Sequence, residues 1–375
     1  MSWSIVFILF IAATGIQFFF WGIVFNRPNI FKSRSYKNSL PLEPVSVVIC
    51  ARNEVDNLRQ NFPTVIQQDY PEFEIIVVDD ASTDKTNDVL HDFGKNHSHV
   101  RVHEILAEQK KHPGKKDALH QGISLAKYDW ILVTDADCFP TSDKWITHMM
   151  QSRNEETELV LGIAPFSLQE GFVNAWARFE NLLTAIQYIS LADAGEPYMG
   201  VGRNLLYKKA LYETVGYSSH ADMISGDDDL FVNQVANAKN TEYCLNQGAQ
   251  AKSYAPNSWS NYWRQKGRHV VTGRKYSPKH QFILSLYAGS HFLHYALGML
   301  CLCNASLIIL VLLMYAMRQA LIYMRIRKWL NKLVQARKGI FTLPMDFVVN
   351  VYYIGLTLRI WRSNKTTTWK GFKAE

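Results

Sequence analysis

Two long stretches of this chain contain no Asp, Glu, Lys or Arg: residues 3–25, which are 23 in number, and residues 282–317, which are 36. A helix rises about 1.5 Å per residue, so about 20 apolar residues cross a hydrocarbon core of about 30 Å. The first run is long enough for one crossing. A cleaved signal peptide is the competing reading, but no Lys or Arg precedes the run and no small-residue cleavage site follows it. Arg27, Lys32, Arg34 and Lys37 come next, so the positive-inside rule puts residue 26 onward in the cytoplasm. A single crossing of the second run would export Arg318, Arg325, Arg327, Lys328, Lys332, Arg337 and Lys338. Two short crossings turning near residues 302–306 keep 318–338 as a cytoplasmic loop, so a helical hairpin is expected over 282–317. Residues 340–358 are apolar but carry Asp346, Asn350 and Thr357 on one helical stripe. A fourth span there would export the basic tail of Arg359, Arg362, Lys365, Lys370 and Lys373, so the expectation is a helix in the cytoplasmic interface or packed on the hairpin.

Net charge is uneven along the chain. The total is +7, from 40 basic and 33 acidic residues, yet residues 318–375 hold 12 Lys/Arg against 2 Asp/Glu and so contribute +10. The rest of the chain sums to −3. A nucleic-acid binder needs its basic excess on the folded body, so nucleic acid is not the expected partner. Aromatic residues at 13% and long Val/Ile/Leu runs exclude disordered and fibrous classes. Cys50, Cys138, Cys244, Cys301 and Cys303 form no CxxC pair, and an odd, scattered set fits a reducing compartment.

Between the apolar runs, residues 26–281 alternate short β-branched or aromatic segments (45–50, 74–78, 130–134) with helical ones (54–68, 85–95, 116–127). That alternation predicts an α/β fold, a doubly wound and mostly parallel sheet, with ligands beyond the carboxyl ends of its strands. Three successive strands there deliver polar residues: Ala51-Arg52-Asn53-Glu54, then Asp79-Asp80-Ala81-Ser82-Thr83-Asp84, then Asp135-Ala136-Asp137. Ser82, Thr83 and Asp84 also suit a helix N-cap, but the Asp79-Asp80 pair needs a cation, a donor or a ligand to offset its repulsion. Alternate carboxylates at a strand end can both face one crevice, and oxygen ligands of this kind suit Mg²⁺ or Mn²⁺. The stripe Phe172, Trp176, Phe179, Leu182, Leu183 and Ile186 recurs at helical spacing and reads first as core.

From about Pro44 to Gly273 the ordered motifs resemble those of the family 2 glycosyltransferases of GT-A fold, inverting enzymes that use nucleotide-diphosphate sugars. Residues 45–54 are similar to the family's first strand and nucleotide-binding turn, and 76–86 to the second, whose aspartates contact the base. Gly114-Lys115-Lys116-Asp117-Ala118-Leu119 looks like its Gly-Lys-x-x-Ala-Leu segment, and Asp135-Ala136-Asp137 like its DxD. Ser225-Gly226-Asp227-Asp228-Asp229-Leu230 falls where the family carries an acidic element whose first Asp is the general base, with Gly226 in place of the usual Glu. Residues 263–269 resemble the Gln-x-x-Arg-Trp motif, with His269 in place of the Trp that helps shape the acceptor site of processive relatives. Residues 196–204 look like the glycine-containing acceptor-side loop.

The resemblance implies a membrane-bound hexosyl- or N-acetylhexosaminyltransferase. Ala51, Arg52, Asn53, Glu54, Lys115, Gln265, Lys266, Arg268 and His269 would line the donor site, with Asp80 and Asp79 on the base, Asp135 on the ribose side and Asp137 with Asp135 on Mg²⁺ or Mn²⁺. Asp227 would be the base, with Asp228 and Asp229 as alternatives in an uncertain register, and Gly200, Gly202, Arg203 and Asn204 would face the acceptor. The expected organisation is a transmembrane helix at 1–25, a cytoplasmic GT-A domain at 26–281, the hairpin at 282–317 and a basic region at 318–375, in a bacterial inner membrane. The expected partners are a nucleotide sugar, UDP-linked by family frequency, a lipid-linked or glycan acceptor, and membrane lipid. A processive polysaccharide synthase and a non-catalytic sugar-nucleotide scaffold are the alternatives.

Overall fold

The computed structural model describes residues 2–31, 40–112, 114–215, 226–340, 342–362, 368–369 and 372–373, without the side chains of Pro28, His269 and the residues from 359 onward. Lys32, Arg34, Lys37, Ser225 and Lys365 lie outside the described residues, as do the side chains of Arg359, Arg362 and Lys373. In chain order come α1 (Trp3–Gly22), α2 (Pro28–Phe31), β1 (Val45–Ala51), α3 (Val55–Ile66), β2 (Phe73–Asp80), α4 (Thr86–Asn96), β3 (Val100–Ile105), α5 (Lys116–Leu125) and β4 (Trp130–Asp135). They are followed by β5 (Phe139–Pro140), α6 (Trp145–Met150), β6 (Leu159–Leu161), α7 (Phe172–Asp193), β7 (Leu205–Lys208), α8 (Lys209–Val215), α9 (Asp229–Val235), β8 (Thr241–Tyr243) and β9 (Ala251–Lys252). Four helices complete the order: α10 (Trp259–Thr272), α11 (Pro278–Cys301), α12 (Ile308–Lys332) and α13 (Thr342–Arg362).

Among the described residues the central sheet has seven strands in the order β3-β2-β1-β4-β7-β6-β8. Strands β3, β2, β1 and β4 run parallel, and β7 is antiparallel to both β4 and β6. The near-continuous apolar runs of β1 and β4 follow from burial on both faces. The sequence reading missed β3, because Val100-Arg101-Val102-His103-Glu104-Ile105 alternates with charged residues as an edge strand does. The strands followed or ended by the polar motifs are therefore β1, β2 and β4, and the order of pairing brings their carboxyl ends side by side. Two glycines let elements approach closely: a Cβ on Gly122 of α5 would lie 2.6 Å from Val48 Cγ1, and one on Gly162 would lie 2.4 Å from Asn204 Cγ.

The stripe on α7 is core: Trp176, Phe179, Leu182, Leu183 and Ile186 are buried, and only Phe172, at the first turn, is exposed. Helix α1 packs on α11 through Gln17, whose Nε2 donates to Tyr287 O at 3.0 Å and Ser290 Oγ at 2.9 Å, and through Thr14 Oγ1, 2.8 Å from His294 Nδ1. Trp329 Nε1 of α12 donates to Phe25 O at 2.9 Å.

The turn between α11 and α12 falls at 302–307, but the segment expected as a basic loop from Arg318 is instead helix as far as Lys332. Arg318 is fully buried, because Asp346 of α13 meets it: Nη1 donates to Asp346 Oδ2 at 2.6 Å, and Nη2 donates to Gln17 Oε1 at 2.8 Å. Tyr295 Oη also donates to Asp346 Oδ2, at 2.5 Å, and His291 Nε2 lies 3.3 Å from Oδ1. A buried charge is tolerated when paired and hydrogen-bonded, so one ion pair ties α13 onto the hairpin. Two helical stretches of the described residues, Trp3–Asn26 and Ala305–Lys332, are long and apolar enough to cross a membrane.

Candidate active site

The turns after β1 and β2 are laced together. Asn53 takes a left-handed φ of 54°, a conformation that Asn tolerates better than most residues, and its Oδ1 accepts from Thr83 N at 2.8 Å. Its own N–H donates to Ser82 Oγ at 3.0 Å, while Glu54 N donates to Thr86 Oγ1 at 2.8 Å. Arg52 is buried, and its Nη1 donates to Asp80 O at 2.5 Å. Asp79 accepts from the Ser82 hydroxyl and from Ser82 N. Both Asp80 oxygens accept from Lys110 Nζ, at 2.5 and 2.6 Å. Burial pushes both carboxyls above their usual range, against those hydrogen bonds. Asp79 and Asp80, expected on the base, are both buried, and Lys110 pairs with Asp80.

At the end of β4 the DxD brackets the buried Ala136. Lys115 Nζ, from the residue just before α5, donates to Asp135 Oδ1 at 2.8 Å. Burial disfavours the Lys115 ammonium, but Asp135, Asp228 and Asp227 outweigh it and hold its pKa well above the ordinary value. The Asp137 carboxyl is pushed up to about 6, by burial first and then by the charges of Asp135 and Glu54. Two carboxylates that repel each other on one cavity wall fit a divalent cation, whose charge would relieve both. Among the described residues no cluster of three or more His, Cys, Asp or Glu completes a metal site.

The three aspartates before and at the start of α9 have different surroundings. Gly226 takes a φ of 104°, open to glycine, which accounts for the residue found where relatives are expected to carry Glu. Asp228 accepts from Asp229 N at 2.9 Å and from Gly202 N at 2.5 Å, one bond to each oxygen. Asp229 Oδ1 accepts from Leu230 N at 2.9 Å, and its Oδ2 accepts from the Thr272 hydroxyl and, at 2.8 Å, from Tyr276. Burial, then the charge of Asp228, pushes the Asp229 carboxyl up to about 7. Asp227 is ion-paired through Oδ1 to Lys116 Nζ. Asp228 and Asp229 thus use both oxygens to hold the loop, and Asp227 uses one.

A cavity of about 990 Å³ collects these groups. Its wall includes Arg52, Glu54, Lys115, Asp135, Asp137, Gly200, Gly202, Arg203 and Asp227 to Asp229, together with Gln265, Lys266 and Arg268 of α10. It continues along α11 and α13 past Tyr287, His291, Asn350 and Tyr353. A Cβ on Gly202 would lie 3.1 Å from Asp228 Oδ2 and 3.2 Å from Lys115 Nζ, so glycine lets these two approach. Arg203 Nη1 donates to Ser253 Oγ at 2.7 Å, and the guanidinium lies over the Phe166 ring.

Other expected residues lie away from the cavity or have partners of their own. Asn204 is fully buried and does not line the cavity: its amide nitrogen donates to Ile163 O and Ala249 O, and its oxygen accepts from Trp145 Nε1. Lys266 reaches the cavity but is ion-paired with Glu180 of α7, which also accepts from Tyr262 Oη at 3.0 Å and Tyr353 Oη at 2.6 Å. Ala51 and Asn53 do not line the cavity, and the side chain of His269 lies outside the described residues. The sequence reading had missed Glu180 and Lys116. Glu180 was legible as a charge beside the apolar stripe of α7, and Lys116 as the second lysine of the Gly-Lys segment.

Comparison with known proteins follows the same lines. Residues 46–216 match the family model described as Glycosyl transferase family 2. A poly-beta-1,6-N-acetyl-D-glucosamine synthase of Staphylococcus epidermidis is 26% identical over 266 residues, covering 67% of this chain and 58% of that protein. The synthase of the same name from Staphylococcus aureus strain MSSA476 is 24% identical over 248 residues, 62% of this chain and 55% of the relative. The chain thus spans under two thirds of the length of these curated relatives. A mannosyltransferase from Pyrobaculum calidifontis, PcManGT, solved in complex with GDP-Man and Mn2+, superposes with a TM-score of 0.59 at 17% identity, over 94% of this chain and 99% of that one. Residues 46–216 are thus similar to glycosyl transferase family 2, and the sheet has the GT-A fold.

Proposed function

We propose that this chain is an inverting glycosyltransferase, held at a membrane with its catalytic domain in the cytoplasm, that moves a sugar from a nucleoside-diphosphate donor to a hydroxyl of a lipid-linked or glycan acceptor. The observation that carries this reading is one cavity lined both by Asp135, Asp137, Lys115, Asp227 and Arg268 and by residues of the apolar helices α11 and α13. Asp135 and Asp137 would hold Mg²⁺ or Mn²⁺, which when bound draws off charge growing on the departing diphosphate. Lys115, Gln265 and Arg268 bind and orient the donor, with the planar fork of Arg268 suited to phosphate oxygens. Asp227 accepts the proton of the acceptor hydroxyl as its oxygen attacks the anomeric carbon, and a single displacement inverts that centre. Arg203, beside Gly200 and Gly202, lines the acceptor side.

The names of the relatives make UDP-N-acetylglucosamine the first donor to try. The test is nucleotide release and labelled-sugar transfer by the full chain in detergent, with Mn²⁺, a panel of UDP- and GDP-sugars and a membrane lipid extract. Asp137→Ala, or chelation of the metal, is expected to lower transfer by about 100-fold or more, the scale of losing a charge-stabilising group. Transfer that is unchanged by both treatments would overturn the metal role, and release from no donor would overturn the function. Repeated addition to a growing glycan is a second reading, supported by the names of the staphylococcal relatives. Product length on a sizing gel separates it from single transfer.

A further inference from the structure

Lys116 opens α5, and its ammonium bonds to Asp227 Oδ1 with both side chains only 6% exposed. Its neighbour Lys115 turns instead to Asp135. Two consecutive lysines thus divide between the DxD and the 226–229 loop, although the motif of Gly114 and Lys115 accounts for only the first. Asp227 lines the cavity and Lys116 meets it from the helix behind. Other charged or titratable groups around Asp227 are Lys115 beside α5, Cys50 at the end of β1, Tyr207 of β7, Tyr212 of α8 and Asp228 of its own loop.

Resting on the reading of Asp227 as the base, we propose that Lys116 is a positioning residue that occupies Asp227 until an acceptor is bound, and so protects the donor from water. In transfer, the acceptor oxygen bonds to the anomeric carbon, the bond from that carbon to the diphosphate oxygen breaks with its electron pair leaving on the diphosphate, and the hydroxyl proton passes to Asp227. In hydrolysis the same balance holds with water in place of the acceptor, yielding free sugar and nucleoside diphosphate. An ammonium bonded to the carboxylate competes for the negative charge that an incoming O–H needs. An acceptor with further contacts along α11 and α13 can displace the ammonium by binding energy gained elsewhere, and a lone water molecule has no such source. Lys116 therefore makes the base conditional on the acceptor.

The test uses the full chain in detergent with Mn²⁺ and labelled UDP-N-acetylglucosamine, measuring sugar released to water without acceptor and sugar transferred when membrane lipid extract is added. Lys116→Met and Lys116→Gln are expected to raise the ratio of hydrolysis to transfer by about tenfold, a fraction of what a general base is worth, and Lys116→Arg to restore it. A ratio unchanged in both neutral variants, or a fall of both activities together without rescue by Arg, would overturn the proposal and leave Lys116 a structural residue. Asp227→Asn, assayed in parallel, isolates the underlying reading. It is expected to lose both activities, and if it keeps transfer the base assignment fails whatever Lys116 does.

Discussion

At the scale of the residue, the three consecutive aspartates divide their work by hydrogen bonding. Asp229 sits under Thr272 and Tyr276 with its carboxyl pushed up to about 7 by burial and by Asp228. An unfolded chain holds an aspartate near 3.9, so between about pH 4 and 7 the folded state keeps a proton that the unfolded state has released. Stability from this group is complete below that window and is lost as pH rises through it. The melting temperature of Asp229→Asn in detergent, taken relative to the parent, is therefore expected to climb from pH 4 to pH 8. A difference that stays flat would contradict the assignment. The DxD and the first strand's turn were legible because their polar residues break apolar runs. That Lys110 would close Asp80 was not, since the pairing joins residues 30 apart whose approach depends on how the segment after β3 folds.

At the scale of the element, α5 and α10 carry the site. Helix α5 lies so close to the sheet that a Cβ on Gly122 would meet Val48 Cγ1 at 2.6 Å and Val78 Cγ2 at 3.2 Å. Gly122→Ala is expected to cost about 1–3 kcal/mol through overpacking, read as a lower unfolding midpoint, and to weaken donor binding because Lys115 sits at the same helix's start. Unaltered stability would mean that the helix moves outward without penalty. Helix α10 is fixed by Glu180. Burial alone would raise that carboxyl, but the Lys266 ammonium and the hydroxyls of Tyr353 and Tyr262 hold it below its usual range. Glu180 thereby ties α10 and α13 to α7. The periodicity of α7 revealed its buried face, but nothing local to the sequence tells which helix a buried Glu will meet.

At the scale of the whole molecule, the buried pair of Arg318 and Asp346 joins α12 to α13, with Gln17 of α1 and Tyr295 of α11 completing its hydrogen bonds. Around it α12 exposes Ile309, Leu312, Leu313 and Met317, a surface suited to lipid. Arg318→Met alone is expected to cost about 3–5 kcal/mol, because it strands a buried carboxylate, whereas Arg318→Met with Asp346→Leu recovers most of that loss. Thermal unfolding in detergent measures both, and a double variant no more stable than the single one would refute the pairing.

The sequence by itself determined the alternating α/β pattern, the strand-end carboxylates and the two uncharged runs, because each is a local periodicity or a local break in one. It assigned Arg318 to a loop and Asp346 to a polar stripe, since each charge taken alone belongs near water. Only the tertiary structure decided that they neutralise each other, that Asp80 and Lys266 have partners from other elements, and that Asp227 meets Lys116. Those outcomes depend on which charges meet once water is excluded, and that is a property of the packed molecule, not of any one segment.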